Sequence, residues 1–146
     1  MNDDSYNLSR FISAQEGVFE NVLTELRNGQ KRTHWMWFIF PQINGLGQSA
    51  TSKHYSIKNA EEARKYVNHP VLGERLLKCA ELILAIDGKS ALEIFGSPDD
   101  KKLKSSMTLF ACVTDISSVF IHVLEKYFSG KRDRKTIYLL GSSSTK

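Results

Sequence analysis

With only two cysteines in 146 residues, the chain has neither a disulfide framework nor a thiolate-rich metal site. Cys79 and Cys112 sit in apolar surroundings, far apart and without a CxxC partner, so both are expected as buried free thiols of a reducing compartment. Long hydrophobic runs are missing as well. The longest, Trp35–Phe40 and Leu82–Ile86, fall far short of the roughly 20 apolar residues a bilayer span needs. The opening MNDDSYN is acidic and polar, unlike a signal peptide, and a cytoplasmic protein without membrane contact is expected. The histidines at 34, 54, 69 and 122 show no HExxH or His-Cys spacing, so no metal is expected, and nothing in the chain calls for a cofactor. No segment alternates with period two, and neither an internal repeat nor a domain-boundary linker interrupts the chain. Self-sufficient catalytic signatures are absent too.

Negative charge is missing from one long stretch. Residues 26–60 carry Arg27, Lys31, Arg32, Lys53 and Lys58 and no acid, whereas residues 1–25 carry Arg10 against five acids. A second basic concentration lies beyond residue 100, and the whole chain nets +4. An uneven distribution of this kind suits an anionic ligand, although solvated lysines are the commoner origin of any single charge.

What is present is helical periodicity. From Leu8 to Asn28, apolar residues recur at helical spacing, with Asn7 as N-cap and Gly29 as stop. Thr33 is placed to cap a short helix that Pro41 ends. Residues 42–51 read as loop. Asn59 and Glu62 open a helix through Val67, and Pro70 starts another that Gly88 stops. Ser90–Phe95 follows, then a helix from Pro98 to Val113 capped by Ser97. Asp115 opens one reaching Phe128, with Ile116, Val119, Phe120, Val123 and Leu124 as its stripe and Gly130 as its close. A last turn spans Asp133–Leu140. The sequence therefore predicts a single compact all-α domain of about seven or eight helices over residues 1–140. The polar tail 141–146 is expected to be disordered.

The block Lys31–Gln42, KRTHWMWFIFPQ, sets cations, His34 and two tryptophans against an apolar run. A core needs only the apolar part. The cations, His34, the indole N–H groups and the Gln42 amide need partners, as a pocket wall would provide. His34 is the candidate general acid or base, without a visible partner to set its tautomer. Trp35 and Trp37 fall on different faces of a helix, so one anchors the core while the other is free to stack on a ring. The plainer reading is a buried aromatic knot with His34 bonded to backbone.

Three further groups stand out. Around Gly45, Gly47, Gln48 and Ser49, followed by Lys53, His54 and Tyr55, a loop could turn backbone N–H groups toward an anion, though an ordinary tight loop reads the same way. On one helix face, Lys101, Lys104, Ser105 and Thr108 follow at spacings of three and four, beside Ser106. That face suits phosphate binding or simple packing, and a serine nucleophile is a remote third reading. The run Lys131-Arg132-Asp133-Arg134-Lys135-Thr136 holds four cations but no interleaved aromatic, so a solvated helix start capped by Asp133 is favoured over nucleic-acid contact.

Several segments together resemble the bacterial domain-of-unknown-function 1810 family. They include Leu23–Gly29 (LTELRNG), Lys31–Leu46 (KRTHWMWFIFPQINGL), Gly47-Gln48-Ser49, His69–Gly73 and Arg75-Leu76. Ile94-Phe95-Gly96, Pro98-Asp99-Asp100, Leu103–Phe110 (LKSSMTLF), Asp133 and Thr136 continue the series. The likeness covers nearly the whole domain, with HWMWFIFPQ its most specific string. Lys135 departs from it mildly, where the family more often has arginine. Some members carry the label calpastatin, yet nothing here resembles that inhibitor's disordered repeats. The resemblance implies an all-α fold and brings no activity. It singles out His34, Gln42, Ser49, Tyr55, Arg75, Lys104, Ser105, Ser106 and Asp133.

These readings converge on one expectation: a domain that binds a small anionic ligand of nucleotide or ADP-ribose type, with its transformation there left open. Its ligand-binding pocket would gather Trp35, Trp37, Gln42, Gly47, Ser49, Tyr55, Arg75, Lys104, Ser105 and Ser106. Trp35 or Trp37 would stack, Arg75 and Lys104 would neutralise charge, and His34 would move protons. The rivals are a protein-interaction module, which predicts an exposed apolar patch, and a nucleic-acid binder. The latter requires the basic residues at 31–32 and 131–135 to share one face. The oligomeric state is left open.

Overall fold

Gly17 breaks the longest predicted helix. Its φ of +79° is ordinary for glycine and strained for any other residue, so the stripe from Leu8 to Asn28 splits into α1 (Ser9–Gln15) and α2 (Phe19–Arg27). The structure, a computed structural model, describes residues 4–115 and 118–144. Eight further helices follow among the described residues: α3 (Met36–Ile39), α4 (Ala50–His54), α5 (Ala60–Asn68), α6 (Leu72–Leu84), α7 (Ala91–Phe95), α8 (Asp99–Cys112), α9 (Val119–Phe128) and α10 (Arg134–Ser144). The fold is all-α. Its count exceeds the expected seven or eight because α1 and α2 separate and α4 arises at the end of the predicted loop 42–51.

Local chemistry explains most boundaries. Asn59 accepts the Glu62 N–H at the start of α5, and Ser90 forms a capping box with Glu93 at the start of α7. Gly29 and Gly130 adopt positive φ after α2 and α9. Three predicted caps fall elsewhere. Asn7 itself has positive φ and leaves Leu8 as N-cap of α1, Ser97 gives no side-chain cap to α8, and Thr33 does not cap α3. At α6, His69 supplies what Pro70 cannot, its Nδ1 accepting from the N–H groups of Val71 and Leu72. The predicted helix start at Asp115 moves to Val119; Ile116 of the expected stripe lies outside the described residues. α10 continues past Leu140 to Ser144, and the last two residues of the predicted tail lie outside the described residues.

An aromatic line crosses the interior from α1 to α9. Phe11 meets Tyr66 edge-on at 5.0 Å, Tyr66 meets Phe110 at 5.4 Å, and Phe110 meets Phe120 at 5.7 Å. All four are buried. A second cluster, Trp35, Phe40 and Phe95, closes the side where α3 and α7 meet α8.

Arg10 fixes the segment between α4 and α5 to α1. Its Nε donates to the carbonyl of His54, its Nη1 to those of Tyr6 and Asn7, and its Nη2 to that of Ser56 and to Glu62 Oε2. Glu62, wholly buried, also accepts the Lys58 N–H. Removing one partner of such a pair typically costs about 3–5 kcal/mol, because the other charge stays buried.

Where α5 turns into α6, the backbones approach so closely that a Cβ on Gly73 would lie 2.1 Å from the Val67 carbonyl oxygen. Alanine is the better helix former by about 1 kcal/mol. Gly73→Ala is nevertheless expected to destabilise the protein by at least about 2 kcal/mol, because the overlap is with backbone. A urea melt at neutral pH checks this; an unchanged or raised midpoint would contradict the packing.

Candidate functional site

A buried carboxylate organises the segment on which the strongest sequence candidates lie. Glu25, on α2, accepts from the backbone N–H groups of Arg32 (2.8 Å) and Thr33 (3.1 Å), the Thr33 hydroxyl (2.6 Å) and the Trp35 indole (2.8 Å). Burial raises its pKa. The bonds from the Thr33 hydroxyl, the Arg32 N–H, the Trp35 indole and the Thr33 N–H outweigh that and bring it to about 2. Thr33 is thereby spent on Glu25, which is why it does not cap α3. Trp35 is fully occupied in the core, and stacking on a ligand is closed to it. His34 points into solvent between these two, without a hydrogen bond or ion pair among the described residues.

Each tryptophan carries a lysine on its ring. The Lys31 ammonium lies 5.1 Å from the Trp35 ring and 2.8 Å from Asp99 Oδ2. Lys102 lies 5.1 Å from the Trp37 ring and 3.7 Å from Asp99 Oδ1. Asp99 and Lys102 were not among the site candidates read from the sequence, although both stand in the basic helix or the family segments. On α8 it is therefore Lys102, not Lys104, that meets the tryptophan segment.

The glycine loop returns to this segment through a single parallel bridge between Ile43 and Ile57. The Asn44 N–H donates to Ile57 and the Ile57 N–H to Gln42, each at 2.8 Å. Ser49 caps α4, accepting the Ser52 N–H, and its hydroxyl donates to Ser52 Oγ. Gly47 has a structural reason of its own, since a Cβ there would lie 2.4 Å from Ser52 Cβ. Trp37, Gln42, Gly47 and Tyr55 line one notch together with Lys53 and Asn44. It encloses about 10 Å³, room for roughly one water molecule and far below a nucleotide.

Arg75 is committed elsewhere. It donates to Gln15 Oε1 at 3.0 Å, approaches Glu16 at 3.8 Å and covers the Phe19 ring at 5.0 Å. Ser105 is buried and donates to the Lys101 carbonyl; Ser106 is wholly buried, with no partner for its hydroxyl among the described residues. The polar candidates thus do not meet in one pocket. Backbone and core demands claim Trp35, Arg75 and Ser105, and the short α3 turns Trp37 toward the glycine loop.

Lys104 opens a different and larger cleft. Thr108, one turn along α8, donates to the Lys104 carbonyl and accepts the Asp133 N–H at 2.9 Å. Asp133 in turn accepts the N–H and hydroxyl of the buried Thr136, capping α10 as predicted. These contacts press the 131–135 run against α8. Lys104, Lys131, Arg132, Asp133, Arg134, Lys135 and Ile137 line a cleft of about 700 Å³. Lys104, Lys131, Arg134 and Lys135 have no carboxylate partner among the described residues. The lone acid, Asp133, is turned onto Thr136. Both halves were visible in sequence as separate basic groups; tertiary contacts such as Thr108–Asp133 join them.

The cysteines part company as well. Cys79 is buried, and burial pushes its thiol up to about 12. Contrary to expectation, Cys112 is exposed at the end of α8, with Arg132 Nη1 at 3.7 Å. Among the described residues, no group of three or more His, Cys, Asp or Glu side chains is arranged to hold a metal ion. No helix among them is long and apolar enough to cross a membrane.

Fold and clefts define an all-helical domain with a basic surface cleft and a small aromatic notch. The chain belongs to the family described as protein of unknown function (DUF1810), whose profile matches residues 5–140. The crystal structure of a conserved hypothetical protein of Mycobacterium tuberculosis, Rv1873, is similar to it at 50% identity and a TM-score of 0.93. The match covers 94% of this chain and 99% of that one. No curated protein matches.

The low pKa of Glu25 sets a pH signature. A carboxylate depressed on folding contributes stability above its unfolded value of 4.5, and that contribution is lost as pH falls toward about 2. Glu25→Gln is expected to cost about 2–3 kcal/mol at pH 7, and the gap to the parent should close between pH 4.5 and 2. Urea melts across that range decide it; a gap independent of pH would show that the charge is not what matters.

Proposed function

We propose that this protein binds a small anionic, phosphorylated ligand of nucleotide or ADP-ribose type in the cleft between α8 and α10. The observation that carries the reading is the concentration of five cations around one concave surface, none of them with a carboxylate partner among the described residues. A phosphate group placed there replaces water around charges that face one another, and partial enclosure strengthens each contact. The volume, about 700 Å³, lies in the range of small-molecule sites. The reading stops at binding, because His34 is not among the residues lining this cleft.

The rival readings have less support. Nucleic-acid contact requires Lys31 and Arg32 to share a face with the 131–135 run; of that pair only Arg32 is exposed, since the Lys31 ammonium is held by Asp99 and its side chain is 6% exposed. A protein-docking patch needs contiguous apolar surface, whereas the exposed large apolar residues Leu77, Leu92, Ile137 and Tyr138 are spread over three helices.

Isothermal titration with ATP, ADP-ribose and ribose 5-phosphate at low salt tests the proposal. Lys104→Ala and Lys135→Ala are each expected to weaken binding about 3- to 10-fold, the loss of one charged hydrogen bond at a partly exposed site. Lys53→Ala, in the notch, should leave it unchanged. Binding should also fall as salt rises. Absence of heat with all three compounds, or affinities indifferent to Lys104 and Lys135, would overturn the reading.

A further inference from the structure

Four residues of α10 fall on one face at spacings of three and four: Arg134, Ile137, Tyr138 and Gly141. Arg134 and Ile137 line the basic cleft, so this face looks toward it, while Thr136 and Leu140 are buried on the other side. Tyr138 lies on the same side, one turn beyond Arg134 and outside the residues that line the cleft. It is 71% exposed, the most exposed large hydrophobic side chain among the described residues. Among the described residues, no hydrogen bond or ring contact holds it there. Beside it, Gly141 leaves open space, with no atom within 4 Å of where a Cβ would stand. A rigid aromatic ring thus stands free next to a cluster of cations, with an unshaded shelf at its flank.

We infer that Tyr138 is a stacking platform flanking this cleft, and that the ligand it selects carries an aromatic base beside its phosphates: a nucleoside polyphosphate rather than a sugar phosphate. The inference rests on the cleft being an anion site and adds the part of the ligand that the cations cannot read. Phosphates against Lys104, Lys131 and Lys135 fix one end. A base laid on Tyr138, about 6 Å beyond Arg134 along the helix at 1.5 Å per residue, fits the short span between phosphates and base in a nucleotide. The tryptophans are unavailable for this task in the cleft, since Trp35 is buried on Glu25 and Trp37 faces the notch.

Titrations of ATP and of inorganic tripolyphosphate separate the two contributions. In the unaltered protein ATP is expected to bind about 5- to 30-fold more tightly than tripolyphosphate, within the range of one base stacked on an aromatic side chain. Tyr138→Ala should abolish that preference and leave tripolyphosphate affinity unchanged, whereas Tyr138→Phe should keep it. The exposure of Tyr138 leaves folding untouched, which circular dichroism verifies. Equal affinity for the two ligands, or a preference that survives Tyr138→Ala, would overturn the stacking assignment while the anion site stands. Failure of both ligands to bind would remove the anion site and the assignment together.

Discussion

Irregular backbone packed against a core must still have its hydrogen bonds satisfied, and in this protein charged side chains do much of that work. Arg10 donates to four carbonyls around the start of α1 and the segment after α4. Glu25 accepts two backbone N–H groups of the 32–33 turn, Lys89 donates to the Gly29 carbonyl, and Lys126 donates to those of Leu84 and Ile86. Short helices joined by long connections leave many such groups near the interior, and water cannot reach all of them. The cost of an unpaired buried group, about 1–3 kcal/mol, is comparable with a sizeable fraction of a domain's net stability.

That demand sorts the charges into two populations. Lys31, Arg10 and Arg75 are held by Asp99, Glu62 and the Gln15–Glu16 pair, so their charge is spent within the fold. The cations of the α8–α10 cleft have no such work, and their charge remains available to a ligand. The same sorting applies to the tryptophans. Trp35 gives its indole N–H to a carboxylate inside the core, and Trp37 shares a half-buried edge with Lys102 and the glycine loop.

Particular elements show how much could be read beforehand. The cap at Asn59 and the stops at Gly29 and Gly130 follow from residue type at a helix end, and they stand where the sequence puts them. The break at Gly17 was hidden because the apolar stripe continues across it, and only the backbone angle reveals that the stripe changes axis. α4 was invisible for the opposite reason: it buries no residue and so leaves no apolar period. Thr33 reads as a cap by position, but an acid on the preceding helix claims its hydroxyl. Among site candidates, Trp37, Gln42, Gly47 and Tyr55 do come together around the notch. Lys104 joins a basic run some thirty residues away, which no spacing rule connects to it.

By itself the sequence determined the class of structure and its family: all-α, a single domain's worth of core, with the HWMWFIFPQ string at its centre. Periodicity and capping are local properties, written within a few residues of where they act. The tertiary structure alone decided which polar groups are spent and which remain free. That depends on where Glu25, Asp99, Gln15 and Thr108 arrive in space, and a hydrogen bond is satisfied by distance, not by neighbourhood in the chain. It is this difference that moved the candidate site from the tryptophan segment to the cleft between α8 and α10.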